Sequence, residues 1–261
     1  MEIKKAAFIV KRWEHDTIDS THTWAKSYIR EMVSPTIRPH HWHLVTAEAQ
    51  TKGVGQYSNQ WTSPYGYNIY ATWIIPWPKL EKDKLWNITQ VATIAVAETM
   101  EGYGFTPQIK WINDLLLDGK KCGGILCEHR IGSSNGAYDW LLMSVGVNVN
   151  MTQADGSFID QPFTSLYMES GQRWDREMVL MALQARIFYH LKKYIAHGFG
   201  FFYEALNKRL IFMNETIGVE SKNTLYKGVF KGITEKGAMI LQIQPGLEEK
   251  ILFSGRIVKG V

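Results

Sequence analysis

Residues 110–128, KWINDLLLDGKKCGGILCE, decide the reading of this chain. Two β-prone apolar runs meet at Asp118–Gly119, and an Asp-Gly pair between such runs is a strong short-range hairpin signal. The second run leaves the turn with Lys121 and reaches Gly123 and Gly124 just beyond it. Paired glycines on a strand let a ligand approach the backbone, because no Cβ stands in the way. A cation carried there by a strand suits an anion that must be positioned, such as a carboxylate or a phosphate. Lys110, Asn113 and Asp114 lie on the preceding strand, so two cations, an amide and a carboxylate can face one pocket. The plainer reading of an exposed strand lysine is a solvated edge residue.

Upstream of this hairpin, Lys84 to Tyr103 repeats apolar residues at Leu85, Ile88, Val91, Ala92 and Ala95, with Thr99 in phase, which is helical spacing. Gly102 and Gly104 end that helix. Tyr67 to Pro76 is rich in β-branched and aromatic residues and reads as a strand. Trp42 to Glu48 reads as another, feeding a glycine-bearing loop from Gln50 to Gly66. A helix begins after Asp19–Ser20, both good N-cap residues, and runs to about Met32. The apolar run in MEIKKAAFIVKRWEHD is too brief for a signal-peptide core and no small-residue cleavage site follows, so a first strand is expected there.

Downstream, a second hairpin turning at Ser133–Gly136 completes the segment from Gln108 to Val149. The loop from Asn150 to Trp174 is long enough to suggest a functional flap. Asp175 to His197 reads as a long amphipathic helix and Phe201 to Lys208 as a shorter one. After Leu210 only short strands follow: Thr216–Glu220, Leu225–Ile233, Ala238–Ile243 and Lys250–Phe253. Turn residues separate them, as in a small β-barrel of about fifty residues. The expected domains are therefore 1–212 and 213–261.

At 261 residues, 45% of them apolar and 21% charged, the chain can bury a full core. The net charge of +4 is mild and the basic residues are scattered, which argues against a nucleic-acid surface without excluding one. No segment approaches the ~20 apolar residues that span a bilayer. Cys122 and Cys127 lie five apart on one expected strand and so point to opposite faces, which rules against a mutual disulfide or shared metal. A reducing cytoplasm fits this usage.

Three further stretches carry chemistry. In QTKGVGQYSNQW, residues 50–61, glycines 53 and 55 with polar neighbours can form an anion nest or wrap a ligand, although a plain surface turn would look the same. In IDSTHTWA, residues 18–25, the helix N-cap by itself explains Asp19 and Ser20. His40, His41 and His43 form HHxH with no cysteine and no second cluster, which is weak for zinc and reads as a surface strand-edge group.

Residues 110–128 resemble the core motif of biotin protein ligases, KWPND followed by a lysine and a glycine-containing strand, with Ile112 in place of the proline. The 50–61 loop is similar to that family's GRGRxGRxW, preceded by the same glutamate and glutamine at Glu48 and Gln50. Gly53, Gly55 and Trp61 keep the register, but Val54, Gln56 and Asn59 stand where the family has arginines, and Ser58 replaces the third glycine. The Ser20-Thr21 helix start, GVNVN (146–150), PFTSLYMESGQRWDRE (162–177) and the tail from Thr234 also resemble the family, so the likeness covers nearly the whole chain.

The resemblance implies an α+β fold: a mixed sheet with helices like class II aminoacyl-tRNA synthetases, plus a C-terminal SH3-like barrel. It implies two-step biotinylation through biotinyl-5′-adenylate, with ATP and Mg2+, and a lysine of a biotin carboxyl carrier protein as acceptor. By that resemblance Lys121 is catalytic at the carboxylate and α-phosphate. Ser20, Thr21, Gln50, Gly53, Val54, Gly55, Gln56, Trp61, Gly123 and Gly124 contact biotin or its intermediate. Lys110, Asn113, Asp114 and Asn148 contact the nucleotide, and Asp114 is the candidate Mg2+ holder. His22 stands where the family often has asparagine.

A short form without an N-terminal DNA-reading domain, monomeric or homodimeric, with no DNA or membrane partner, is the expectation. An arginine–phosphate contact contributes roughly 1.5–3 kcal/mol, so its loss weakens retention of the adenylate about ten- to a hundredfold. Lipoate or octanoate ligases and transferases of the same fold, a non-catalytic biotin-binding regulator, and an interaction module built on the barrel remain alternatives.

Overall fold

The computed structural model describes residues 9–31, 41–78, 85–131, 138–244 and 248–258. The expected turn at 133–136, His40 and the end of the first helix at Met32 lie outside them. Two compact units divide the chain, one of residues 1–85 and 123–176, the other of 86–122 and 177–261.

In the first unit, β1 (Ile9–Ile18) lies parallel to β2 (His41–Gln50), with Ile18 opposite Gln50. β2 then pairs antiparallel with β3 (Ile69–Pro78), and β3 with a later strand, Tyr138–Val147. The connection from β1 to β2 contains α1 (Thr21–Glu31), because antiparallel hairpins cannot join parallel neighbours. One face of α1 carries Ala25 and Ile29 onto Val45, Ile74 and Leu142, with Trp13, Trp24, Tyr28 and Trp140 packed around them. Trp24 and Tyr28, one turn apart, stack at 4.9 Å.

The second unit begins with α2 (Ile88–Gly102), which is buried nearly all round and therefore lacks a polar face. It starts four residues later than the sequence expectation. The hairpin of β4 (Gln108–Lys110) and β5 (Asp114–Leu117) follows, and then the Asp118–Gly119 turn into β6 (Lys120–Arg130). Both turn residues have positive φ, 47° and 70°, which is the type I′ geometry that matches strand twist. With β7 (Tyr138–Val147), the strand order is β1-β2-β3-β7-β6-β5-β4, a mixed sheet.

The 150–174 segment is not loop throughout, since it contains the helical turn α3 (Leu166–Ser170), capped by the Ser165 hydroxyl. Asn150 also binds both backbone polar groups of Trp174, at 2.8 and 2.9 Å. In the second unit, α4 (Arg176–His197) buries Val179, Leu183, Ile187, Leu191 and Tyr194 along one stripe. A 3-10 turn at Phe199–Phe202 then leads into α5 (Tyr203–Asn207).

The final strands are β8 (Thr216–Ser221), β9 (Thr224–Ile233), β10 (Met239–Gln244), β11 (Glu248–Leu252) and β12 (Arg256–Val258). They form an antiparallel sheet in the order β11-β10-β9-β8-β12. The short β12 carries no local periodicity that would have announced it. The turn between β9 and β10 is clamped by three side chains: Asn87 donates to Lys236 O, while Gln90 and Trp111 both donate to Gly237 O. Among the described residues, no helix is long and apolar enough to cross a membrane.

β2 has neighbours on both sides, so His41 and His43 do not lie on an edge strand as expected. His43 is 5% exposed, and its Nδ1 lies 3.2 Å from the Tyr28 hydroxyl. Burial, reinforced by Lys11 and His41, pushes its pKa down to about 4. Unfolding restores the ordinary value near 6.5, so between those limits the unfolded chain binds the extra proton. Stability is then fully present above pH 6.5 and drains away as the pH falls toward 4. The expected loss from this residue is on the order of 2–3 kcal/mol. Urea midpoints of the wild type and His43→Leu, compared at pH 7 and pH 4.5, check this: the variant's acid loss should be the smaller.

Candidate active site

Parallel pairing sends β1 and β2 out of the sheet at the same end. There the chain after β1 enters α1, and the chain after β2 enters the glycine loop. Backbone bonds from Thr51 to Ile18 O and from Lys52 to Asp19 O tie the two exits together. Ser20 caps α1: its hydroxyl accepts from the amides of His22 and Thr23, at 3.2 and 3.4 Å. Gln50 Oε1 accepts from the Thr21 amide at 2.8 Å, and its Nε2 donates to Ser63 Oγ at 2.9 Å. Thus Ser20, Thr21 and Gln50 come together, although residues 21 and 50 are far apart in the chain.

Gly53 stands beneath this group. A Cβ there would lie 2.3 Å from the Trp61 carbonyl oxygen and 3.1 Å from Gln50 Nε2, so only glycine fits. The loop folds back on itself through Trp61 N to Gly53 O, Gly55 N to Asn59 O and a Val54–Gln60 bridge. Gly124 pairs across the sheet with Gly146, which leaves a strip of bare backbone. Trp61 covers Gly146 so closely that a Cβ there would meet its ring at 2.6 Å. Gly146, which opens the GVNVN stretch, was given no role of its own in the sequence reading.

Beneath Thr21 runs a buried polar chain, also missed. Thr72 Oγ1 lies 2.9 Å from Thr21 Oγ1 and 2.8 Å from Ser144 Oγ. Ser144 Oγ lies 2.8 Å from His22 Nδ1, and His22 Nε2 lies 2.9 Å from Glu128 Oε2. Lys26 reaches the same carboxylate oxygen at 2.7 Å, and Arg130 pairs with the other. Burial raises the Glu128 carboxyl, but hydrogen bonds from Lys26 and His22 outweigh it and hold the pKa below the usual range. The available signal was one aliphatic hydroxyl on each of two mostly apolar strands, Thr72 in IYATWIIPWP and Ser144 in YDWLLMSVGV.

Asn148 is 4% exposed, and its amide donates to Thr164 O at 2.9 Å, tying the end of β7 to the 150–174 segment. In the second unit, Lys121 Nζ meets Asp114 Oδ1 at 2.7 Å, while Lys110 stands opposite Asp114 in the β4–β5 ladder. Asn113 occupies the turn between those strands. Lys121, Asp114 and Lys110 are thus brought together, and β6 carries Lys121 on into Gly123 and Gly124. Among the described residues, no group of three or more His, Cys, Asp or Glu could hold a metal. Mg2+ asks less than that, since it keeps much of its water and takes one or two carboxylates plus substrate phosphates. Asp114 fits that lesser demand.

A mixed sheet whose parallel strands deliver a capped helix and a glycine loop in one unit, and a lysine–carboxylate pair on a hairpin in the other, are features that suit a ligase which activates an acid. Residues 15–150 match the biotin/lipoate A/B protein ligase family, and the chain belongs to it. It is 29% identical over 210 residues to the bifunctional ligase/repressor BirA of Bacillus spizizenii, covering 79% of this chain and 63% of that protein. It is also 29% identical over 206 residues to the biotin–[acetyl-CoA-carboxylase] ligase of Paracoccus denitrificans, covering 76% and 83%. The structure of the biotin protein ligase from Aquifex aeolicus in complex with biotin and ATP superposes with a TM-score of 0.76. That comparison shows 25% identity and covers 95% of this chain and 97% of the other.

Proposed function

We propose that this chain activates biotin with ATP and transfers it to a lysine of a biotin carboxyl carrier protein. A biotin carboxylate oxygen attacks the α-phosphate, the bond to the β-phosphate oxygen breaks, and pyrophosphate leaves. The carrier's amine then attacks the carbonyl of the mixed anhydride and AMP departs. The observation that carries this reading is the gathering of Ser20, Thr21 and Gln50 at the exits of β1 and β2. A cyclic urea offers two N–H donors and one carbonyl, and this group supplies acceptors and donors for both. A lipoyl or octanoyl chain has nothing to match them, and leaving them unpaired in a closed site costs affinity.

Chemistry of this kind needs positioning and charge stabilisation at the transferring phosphoryl group. Lys121 is assigned that role, with its ammonium held in place by Asp114 until the substrates arrive. Gly123, Gly124 and the bare Gly124–Gly146 strip let the biotin chain lie against the backbone, with Trp61 as a wall. Lys110, Asn113 and Asn148 are assigned to the nucleotide. Mg2+, when bound with the nucleotide, screens the triphosphate, and Asp114 would hold it. The 50–60 loop, with Val54, Gly55 and Gln56, and the 150–162 segment are assigned to exclude water from the adenylate. We further infer that the five strands after Met213 form an SH3-like barrel, supported by their antiparallel order. Two free cysteines suit a reducing cytoplasm.

Mass spectrometry of an apo carrier domain incubated with the protein, MgATP and biotin tests the reading, with lipoate and octanoate in parallel. Biotin on the carrier lysine supports it; transfer of another acyl chain overturns it. Two variants probe the loop. Gly53→Ala drives a Cβ into the Trp61 carbonyl and displaces Gln50, so biotin affinity measured by calorimetry is expected to drop at least about tenfold. Gln56→Arg restores a phosphate contact and is expected to slow release of the adenylate about tenfold or more. Unchanged dissociation would argue against a role for the missing arginines.

A further inference from the structure

We propose that Gln90 and Trp111 are positioning residues: joined on the Gly237 carbonyl, they fix the β4–β5 hairpin so that Asp114 presents Lys121 to the reacting groups. This role rests on the assignment of Lys121 to biotin activation and adds to it the device that holds its partner in place.

The socket lies wholly within the second unit. Asn87, Gln90 and Trp111 are all buried, at 4%, 0% and 2% exposure. Gln90 Nε2 and Trp111 Nε1 both donate to Gly237 O, at 2.7 and 3.2 Å. A carbonyl oxygen has two lone pairs, so these two N–H groups use both. Asn87 Nδ2 donates to Gln90 Oε1 at 2.6 Å and to Lys236 O at 2.9 Å, which fixes the way the Gln90 amide faces. The turn is closed by its own backbone, with Gly237 N donating to Thr234 O and Thr234 N to Ala238 O. Gly237 has a φ of 77°, and a Cβ there would lie 2.5 Å from Gln90 Oε1, so only glycine can present this carbonyl.

The strand gripped by this socket is the one that carries the site. Two residues before Trp111, the Ile109 amide donates to Arg209 O at 2.7 Å and its carbonyl accepts from Ile211 N at 3.1 Å. Lys110 therefore sits between two anchors, both made by chain far downstream. It stands opposite Asp114 in the ladder, and Asp114 Oδ1 meets Lys121 Nζ at 2.7 Å. A shift of Trp111 thus moves Asp114, and the ammonium follows its carboxylate. Apolar packing would also bury an indole, but it is non-directional, whereas two N–H groups converging on one oxygen define a point. That definition matters because a displacement of about 1 Å at a reacting group can cost on the order of 10²-fold in rate.

Trp111→Phe keeps a ring and deletes the N–H; Gln90→Met keeps the length and deletes the amide. With excess MgATP and biotin and no carrier, the first-turnover burst of pyrophosphate has an amplitude that counts competent sites and a rate constant that reads each of them. Either variant should lower the rate constant roughly tenfold, while biotin affinity by calorimetry changes less than about twofold. A socket that served stability alone would lower the amplitude and the melting temperature and leave the rate constant as it was; that result overturns the proposal. A double-mutant cycle reads the route through Lys121. In the Lys121→Ala background, Trp111→Phe should cost less than about twofold more, since the group it positions is gone. A further loss of the full size overturns the route. If the wild type releases no pyrophosphate, the activation reading falls instead, and hydrogen exchange still judges the socket. Trp111→Phe should then speed exchange at the 109–117 amides roughly three- to tenfold, the worth of one hydrogen bond. Unchanged exchange there overturns the proposal without reference to any substrate.

Discussion

Replacing Lys121 with alanine is expected to lower the rate of adenylate formation by about 100-fold or more, while biotin affinity changes far less. Preorganised charge aimed at a developing anion stabilises the transition state more than the ground state, and removal of one such group typically costs 10²–10³ in rate. In the ligand-free protein this charge is already oriented, because Lys121 Nζ lies 2.7 Å from Asp114 Oδ1. The Lys121 side chain is 20% exposed and that of Asp114 19%, so the pair is half-buried and not a screened surface contact. Pyrophosphate release under single-turnover conditions reads the chemical step, and calorimetry with biotin alone reads the binding step. A melting temperature for the variant separates lost chemistry from lost fold. Near-normal pyrophosphate release would remove Lys121 from the catalytic role.

The second large effect concerns stability. Arg209→Ala is expected to cost about 2–3 kcal/mol of unfolding free energy, near the lower end for breaking a buried ion pair. Arg209 is 6% exposed and grips Glu101 in a two-pronged fork, Nε to Oε1 and Nη2 to Oε2, both at 2.7 Å. Its other amino group donates to Ala205 O, and Glu98 lies 3.8 Å away. Removing the guanidinium leaves two carboxylates on successive turns of α2 without that cation. The Glu101 side chain is 39% exposed and can rehydrate, which keeps the loss from reaching the top of the range. Glu98 retains His190 and Arg186, and the His190 hydrogen bond is the main influence holding its pKa below the usual range. Urea midpoints, with unchanged slope, check the prediction. A change below about 0.5 kcal/mol would mean that the fork acts like an ordinary surface pair.

What could be read from the sequence was local. Asp118–Gly119 required positive φ at two adjacent residues, and that preference belongs to the residues themselves. Ser20 as a helix cap and the apolar stripe of α4 are likewise set within a few residues of chain. The motif carrying Lys121, Gly123 and Gly124 was legible because its chemistry is contiguous on one hairpin.

Tertiary structure decided the rest. His43 looked like a surface residue until strand order placed β2 between two neighbours and left the imidazole buried. The 3-residue β12 had too short a pattern to show by itself, and it exists because β8 offers it a ladder. The Trp111 side chain sits inside the motif, yet its partner is Gly237, 126 residues away. Most of all, Thr21, Gln50, Thr72 and Ser144 come from four segments, with separations of 29, 51 and 72 residues between bonded pairs. Turn and cap preferences are short-range free energies that a few side chains determine. Strand register between distant segments is chosen by which pairing buries the most apolar surface, and only that choice turns three separate hydroxyls into one chain.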